Sequence, residues 1–251
     1  MIHSEQRGRT TILRVEHGKV NAIDTELLTE LAERLDEIER SSATAVVLTG
    51  TGKAFSAGVD LFRVLDGGQA YVDGFLTALS ATLLRLFTFP RPVVAAVNGH
   101  AIAGGCIVVW TCDYKVMAEG TGRVGVTELL VGVPFPAAPL EIVRFAVPGQ
   151  YVQEVLYTGQ TYDPGEAHRR GLVDEVVAPE ALLDRACAVA TRFGAIPADA
   201  FRIVKKQLRA PVLDRSQRYA ETTDGEGRRV WSSPEIHATI RDYLQRTLGK
   251  R

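Results

Sequence analysis

Two spacings of apolar residues alternate along most of this chain. Thr11 to Val15 reads as a strand, and Thr25 caps an amphipathic helix from Glu26 to Arg40 whose Leu27, Leu28, Leu31, Leu35 and Ile38 share one face. Ala43 to Thr49 is a run of β-branched and small residues stopped by Gly50, the pattern of a buried strand. The cycle then repeats. After a glycine-rich stretch expected to be mobile (Asp66-Gly67-Gly68-Gln69), Phe75 to Phe87 has helical spacing, Pro90 and Pro92 end it, and Val93 to Val97 is a second buried strand. Gly105 to Thr111 reads as helix and Tyr114 to Ala118 as extended chain; beyond Val173 to Val177 the pattern is almost wholly helical from Glu180 onward. Repeated strand and helix units with buried strands predict an α/β core followed by a helical tail. The character changes near Ala195-Ile196-Pro197, which divides the chain into residues 1–195 and 196–251.

Composition narrows the class. With 251 residues, 46% hydrophobic and 24% charged, the chain can bury a sizeable core as one large domain or one domain with an appendage. A net charge of −1 gives no electrostatic reason to expect nucleic acid or an anionic membrane as partner. Cys106, Cys112 and Cys187 are odd in number and show no CxxC spacing, so neither a disulfide framework nor a zinc site is indicated, and a reducing cytoplasm is the expected location. The N-terminal residues lack the order of a signal peptide, and the apolar run from Ile102 to Cys112 is too short to span a bilayer.

Chemistry is suggested by two glycine turns, each after a predicted strand. The first is Lys53-Ala54-Phe55-Ser56-Ala57-Gly58-Val59-Asp60-Leu61; the second is Asn98-Gly99-His100-Ala101-Ile102-Ala103-Gly104-Gly105-Cys106. Either alone is an ordinary bend. In this order, followed by Cys112-Asp113-Tyr114 and then Gly125-Val126-Thr127-Glu128, they resemble the enoyl-CoA hydratase/isomerase (crotonase) family. The likeness covers nearly the whole chain, from Val20-Asn21-Ala22 to Ala167-His168-Arg169-Arg170-Gly171-Leu172-Val173-Asp174.

The resemblance implies a spiral of β-β-α units with a C-terminal helical region that builds a trimer, often stacked as a hexamer. It implies an acyl-CoA substrate, with coenzyme A as part of the substrate rather than a separate cofactor. The thioester oxygen is expected between two backbone N–H groups, those of Val59 and Gly104. In hydratases of the family one glutamate directly follows the second glycine turn and another comes later. Here the first position is Ile107, and only the second acid remains, Glu128. A single carboxylate brings the chain closest in motif to the isomerases that convert 3-enoyl-CoA to 2-enoyl-CoA. Two alternatives stand beside that reading: a 2-enoyl-CoA hydratase, and a catalytically silent acyl-CoA binding protein. Leu129, Leu130 and Phe135 are expected to bury Glu128 and raise its pKa.

Other polar residues carry less. Asp113 is expected to fix a turn or strand start, and Asp60 to cap a helix beginning at Leu61 and so aim the Val59 N–H. Glu141 is the rival acid, either facing the acyl pocket or sitting in a helix first turn favoured by the dipole. His100 has no partner at ligand or triad spacing, and Ser56 lacks the nucleophile-elbow glycines. By the resemblance, Lys19 and Lys53 contact the nucleotide phosphates and the Ala57 carbonyl meets the adenine. Many relatives place a lysine after the Asp-hydrophobic pair, where this chain has Phe62 and then Arg63; Arg241, Arg246 and Lys250 are further phosphate candidates. Leu61, Phe62, Trp110 and Phe135 are the candidates for lining the acyl tail.

Overall fold

The structure, a computed structural model, describes residues 1–248; Lys250 lies outside the described residues. The chain opens with two antiparallel strands, β1 (Ile2–Arg7) and β2 (Thr10–Val15), followed by helix α1 (Thr25–Arg40). Three turns of one motif come next. β3 (Ala45–Gly50), β4 (Ala54–Ser56) and α2 (Leu61–Phe87) form the first; β5 (Val93–Val97), β6 (His100–Ile102) and α3 (Gly104–Thr111) the second. β7 (Tyr114–Ala118), β8 (Val124–Gly125), a 3-10 turn at Glu128–Val131 and α4 (Ala137–Ala146) form the third. Each turn gives its first strand to a six-stranded sheet, ordered β1-β2-β3-β5-β7 and closed by the later strand β9 (Glu175–Val177), and its second to a small parallel sheet, β4-β6-β8. This is the β-β-α spiral, with mixed α/β architecture.

The period of two in the buried strands divides the core. Leu13, Val46, Leu48, Val93, Ala95 and Val97 face a large core shared with α1, α2 and α3. The alternate residues Ile12, Ala45, Val47, Val94 and Ala96 face α7 (Leu182–Gly194), reached through α5 (Val152–Thr158), α6 (Pro164–Arg169) and β9 (Glu175–Val177). Both faces of the parallel sheet are therefore covered.

Two expectations need correction. α1 is capped by Asp24 rather than Thr25: the Leu27 N–H donates to the Asp24 carboxylate at 2.8 Å. The stretch around Gly67 and Gly68 lies inside α2, which joins the helix expected from Leu61 to the one expected from Phe75; only Gly68 leaves helical geometry (φ 61°). The Asp60 cap and the buried Val64 and Val72 hold helix on both sides of that break. α2 is long and apolar enough to cross a bilayer by length and composition, yet Val72, Phe75, Leu76, Leu79, Leu83 and Leu86 are buried in the protein's own core.

After Ala195 the described chain is helical, through α8 (Ala198–Tyr219), α9 (Gly225–Trp231) and α10 (Pro234–Leu248). These helices are not a detached tail. Val212, Trp231 and Ile240 are fully or almost fully buried in the main core. Asp113 is the staple: it accepts from the Val93 N–H (2.8 Å), Lys205 Nζ (2.7 Å) and Arg209 Nη2 (2.8 Å), and the Arg209 guanidinium lies 4.1 Å over the Phe87 ring. The expectation that Asp113 fixes a strand start holds, and it anchors α8 as well. Ile203, Val204 and Leu208 remain exposed on α8.

Candidate active site

The first glycine turn is held from behind by the segment before α1. Asn21, with φ 52°, donates through Nδ2 to the carbonyls of Ala54 and Phe55; Ser56 Oγ donates to the Asn21 carbonyl; Ala57 N–H donates to Val20. Ile23 forms a parallel bridge with Val59, donating its N–H to the Gly58 carbonyl (2.8 Å) and accepting from the Asp60 N–H (2.9 Å). These two bonds bracket Val59. Its own N–H meets no acceptor among the described residues.

The second turn comes to meet the first. Ala103 takes φ 52°, unusual for a residue with a side chain, and its N–H donates to the Gly125 carbonyl, while Gly104 begins α3. As the first residue of a helix, Gly104 presents an N–H that also meets no acceptor among the described residues, at the positive end of the helix dipole. A Cβ on Gly104 would lie 3.8 Å from the Val59 nitrogen, and one on Gly58 (φ +86°) would lie 3.1 Å from the Gly104 nitrogen. The two free donors are thus neighbours. Gly105 is required for another reason: a Cβ there would sit 2.4 Å from the Ser56 carbonyl oxygen, so only glycine lets α3 approach β4.

Glu128 opens the 3-10 turn that leaves β8, the strand whose Gly125 carbonyl holds Ala103. It is only 7% exposed, and its Oε2 has no hydrogen-bond partner. Burial pushes its carboxyl up to about 8, and hydrogen bonds from the Thr127 and Glu128 backbone offset only part of that effect. The carboxylate also acts on Cys106, in the first turn of α3: burial first, and the Glu128 charge second, raise that thiol well above its ordinary value. Glu128 thus sits on the segment that leaves Gly125, whose carbonyl holds Ala103 at the start of α3. Leu129 and Leu130 do not shield it, being 43% and 48% exposed; Val131 and Val133 are buried on the core side, with Phe135 packed against that core.

No second free acid accompanies Glu128 from the sequence candidates. Ile107 is 2% exposed in α3 and part of the core. Glu141 is fully buried but spoken for, accepting from Arg144 Nη1 at 3.2 Å and Arg215 Nε at 2.5 Å, so it ties α4 to α8. Trp110 is core rather than pocket lining; its indole N–H donates to the Leu172 carbonyl. Ser56 is spent on the turn itself.

The remaining candidates lie around the first turn. Asp60 caps α2, accepting from the Phe62 and Arg63 N–H groups, as expected. Leu61 and Phe135 are half-buried against the core, and Phe62 is exposed. Lys19, Lys53 and Ala57 are exposed, and neither lysine pairs with a carboxylate among the described residues. Arg63 is instead paired, with Glu26 at 2.8 Å. Arg241 and Arg246 are exposed on α10. Sequence reasoning missed Asp24 and its partner His17, because His17 lies in the loop before α1 and no motif singles out either residue.

The chain is similar to known proteins along nearly its whole length. The family profile described as enoyl-CoA hydratase/isomerase matches residues 11–247. Enoyl-CoA delta isomerase 1, mitochondrial, of Mus musculus is 27% identical over 254 residues, covering 100% of this chain and 88% of that protein. A putative enoyl-CoA hydratase of Thermus thermophilus is 36% identical over 214 residues, 84% of each chain. Among solved structures, human mitochondrial delta3-delta2-enoyl-CoA isomerase superposes with a TM-score of 0.92 at 27% identity, covering 100% of this chain and 99% of that one. The chain belongs to the enoyl-CoA hydratase/isomerase family and has its crotonase fold.

Proposed function

We propose that this enzyme shifts the double bond of a 3-enoyl-CoA to the 2-position, with Glu128 as the only proton carrier. The thioester oxygen of the acyl-CoA accepts from the Val59 and Gly104 N–H groups. Glu128 Oε2 removes a proton from C2; the C–H electron pair moves into the thioester, and negative charge collects on the oxygen of a dienolate. The same carboxyl, now protonated, returns the proton to C4 as the C2–C3 double bond forms. Atoms balance with no water consumed. Each aligned donor is worth on the order of 3 kcal/mol at the transition state, where the oxygen is most negative. A base whose pKa is raised to about 8 is also a stronger acceptor of a carbon-bound proton than an ordinary carboxylate.

The observation that carries the reading is a lone, unpartnered Glu128 Oε2 in a site whose other candidate acid positions hold Ile107 or the arginine-paired Glu141. Adding water needs a group to hold the water as well as one to deprotonate it. Isomerisation needs one. Purified protein incubated with 3-hexenoyl-CoA and with 2-hexenoyl-CoA separates the readings: 2-hexenoyl-CoA from the first and no 3-hydroxy product from the second supports an isomerase. The reverse pattern supports a hydratase, and inertness with tight binding a silent binder.

Lys19 and Lys53 bind the nucleotide phosphates in this reading and the Ala57 carbonyl meets the adenine; Leu61 and Phe135 border the acyl chain beside the Asp60 cap. Lys53→Ala then raises KM for acyl-CoA in a salt-dependent way and leaves kcat unchanged, and an unchanged KM removes Lys53 from the site. We also assign the enzyme to the cytoplasm, and residues 196–251 to assembly of a homotrimer or hexamer through surfaces such as the exposed Ile203, Val204 and Leu208. Sedimentation as a monomer at micromolar concentration overturns that assignment.

A further inference from the structure

We propose that Asp24, held by His17, is a positioning residue for the oxyanion donors. The proposal rests on the reading of the Val59 and Gly104 N–H groups as those donors. Asp24 is buried, and its two oxygens have different partners: Oδ1 accepts the Leu27 N–H that caps α1, while Oδ2 lies 2.7 Å from His17 Nε2 and 3.7 Å from Arg63 Nη2. Capping alone needs one oxygen, and serine supplies that equally well. The second oxygen draws three segments together. His17 belongs to the loop before α1, where its N–H donates to Asn21 Oδ1; Arg63 is in the first turn of α2, just beyond Asp60, and pairs with Glu26 of α1.

What these segments share is Ile23, the residue next to Asp24. Its backbone brackets Val59 through the Gly58 carbonyl and the Asp60 N–H, and its Cδ1 lies 3.5 Å from where a Gly104 Cβ would stand. Moving residues 23 and 24 therefore displaces the first donor directly and loosens the packing beside the second. Donors aimed at a developing charge lose most of their value at the transition state when misaligned, and less in the ground state, so the loss falls on kcat.

Asp24→Ser keeps the helix cap and removes the second oxygen; His17→Ala cuts the same tie from its other end. Three quantities are read in each variant: the melting temperature, kcat and KM with 3-hexenoyl-CoA, and the infrared stretch of a 13C-labelled thioester carbonyl in bound hexanoyl-CoA. The expected result is melting close to wild type, kcat lower by about ten- to a hundredfold, KM within about twofold, and a carbonyl band moved back toward its free frequency. The double variant is expected to be no worse than either single one. If Asp24→Ser does not fold, His17→Ala and Asp24→Asn carry the same readouts. Wild-type kcat and an unmoved band in the tie-cutting variants overturn the proposal and leave Asp24 a helix cap. A wild-type protein that binds hexanoyl-CoA with its carbonyl at the free frequency overturns the oxyanion reading itself, and the proposal with it.

Discussion

Replacing Glu128 by glutamine should make the protein less active and, above mildly acidic pH, more stable. Burial penalises the charge of this carboxyl and pushes it up from an ordinary 4.5 to about 8 in the folded protein. Below pH 4.5 it is protonated in both folded and unfolded chains and costs nothing. Between 4.5 and 8 the unfolded chain releases the proton while the folded one retains it, so wild-type stability falls as pH rises and levels off above 8. That window is about 3.5 pH units wide, which at about 1.4 kcal/mol per unit gives a full penalty on the order of 5 kcal/mol. Glutamine escapes it. An amide group placed where Oε2 has no partner carries its own cost, but that cost does not titrate, so the slope with pH is the diagnostic quantity. From pH 5 to pH 8 the gap between variant and wild type should open by about 4 kcal/mol, roughly 8–16 °C in melting temperature for a chain of this size. Thermal melts at one fixed protein concentration, in a pH series, read it directly. Parallel curves for the two proteins would refute the assignment of a raised pKa to Glu128.

With Glu128 as the proposed base, kcat/KM should rise about tenfold per pH unit toward pH 8 and then flatten, whereas a flat profile from pH 6 to 9 contradicts that role. Gly58→Ala places a Cβ 2.7 Å from the Ile102 carbonyl at φ +86° and pushes the two donors apart; kcat should fall by about a hundredfold or more, and steady-state kinetics check it. Asp113→Ala leaves Lys205 and Arg209 buried without their carboxylate, so chemical denaturation should show a loss of about 3–5 kcal/mol.

The inner parallel strands of the large sheet were legible because they are buried on both faces, and such strands appear as unbroken runs like Val93 to Val97, whereas β1, exposed at all but Ile2, was not read. The small sheet was not: β4, β6 and β8 are two or three residues long and carry no period to read. The continuity of α2 through Gly67 and Gly68 was not legible, since glycine is a poor helix former and the burial of Val64 and Val72 that holds helix on either side is a tertiary effect. At the candidate site, Val59, Gly104 and Glu128 were reached through the resemblance that the ordered motifs carry, and the geometry sets the first two side by side, with Glu128 on the segment after the strand that holds Ala103. The partners of Glu141 were out of reach, since Arg215 lies 74 residues away in sequence. Leu129 and Leu130 point outward for a similar reason: hydrophobic character does not say which face of a short turn meets the core.

The most direct measurement follows the proton. In a single turnover of 3-hexenoyl-CoA carrying deuterium at C2, a lone buried carboxylate should deliver part of that deuterium to C4 of the 2-enoyl product, and Glu128→Gln should yield no product. A C4 position filled only from solvent, together with 3-hydroxyacyl-CoA formed from 2-hexenoyl-CoA, would contradict proton transfer by Glu128 alone.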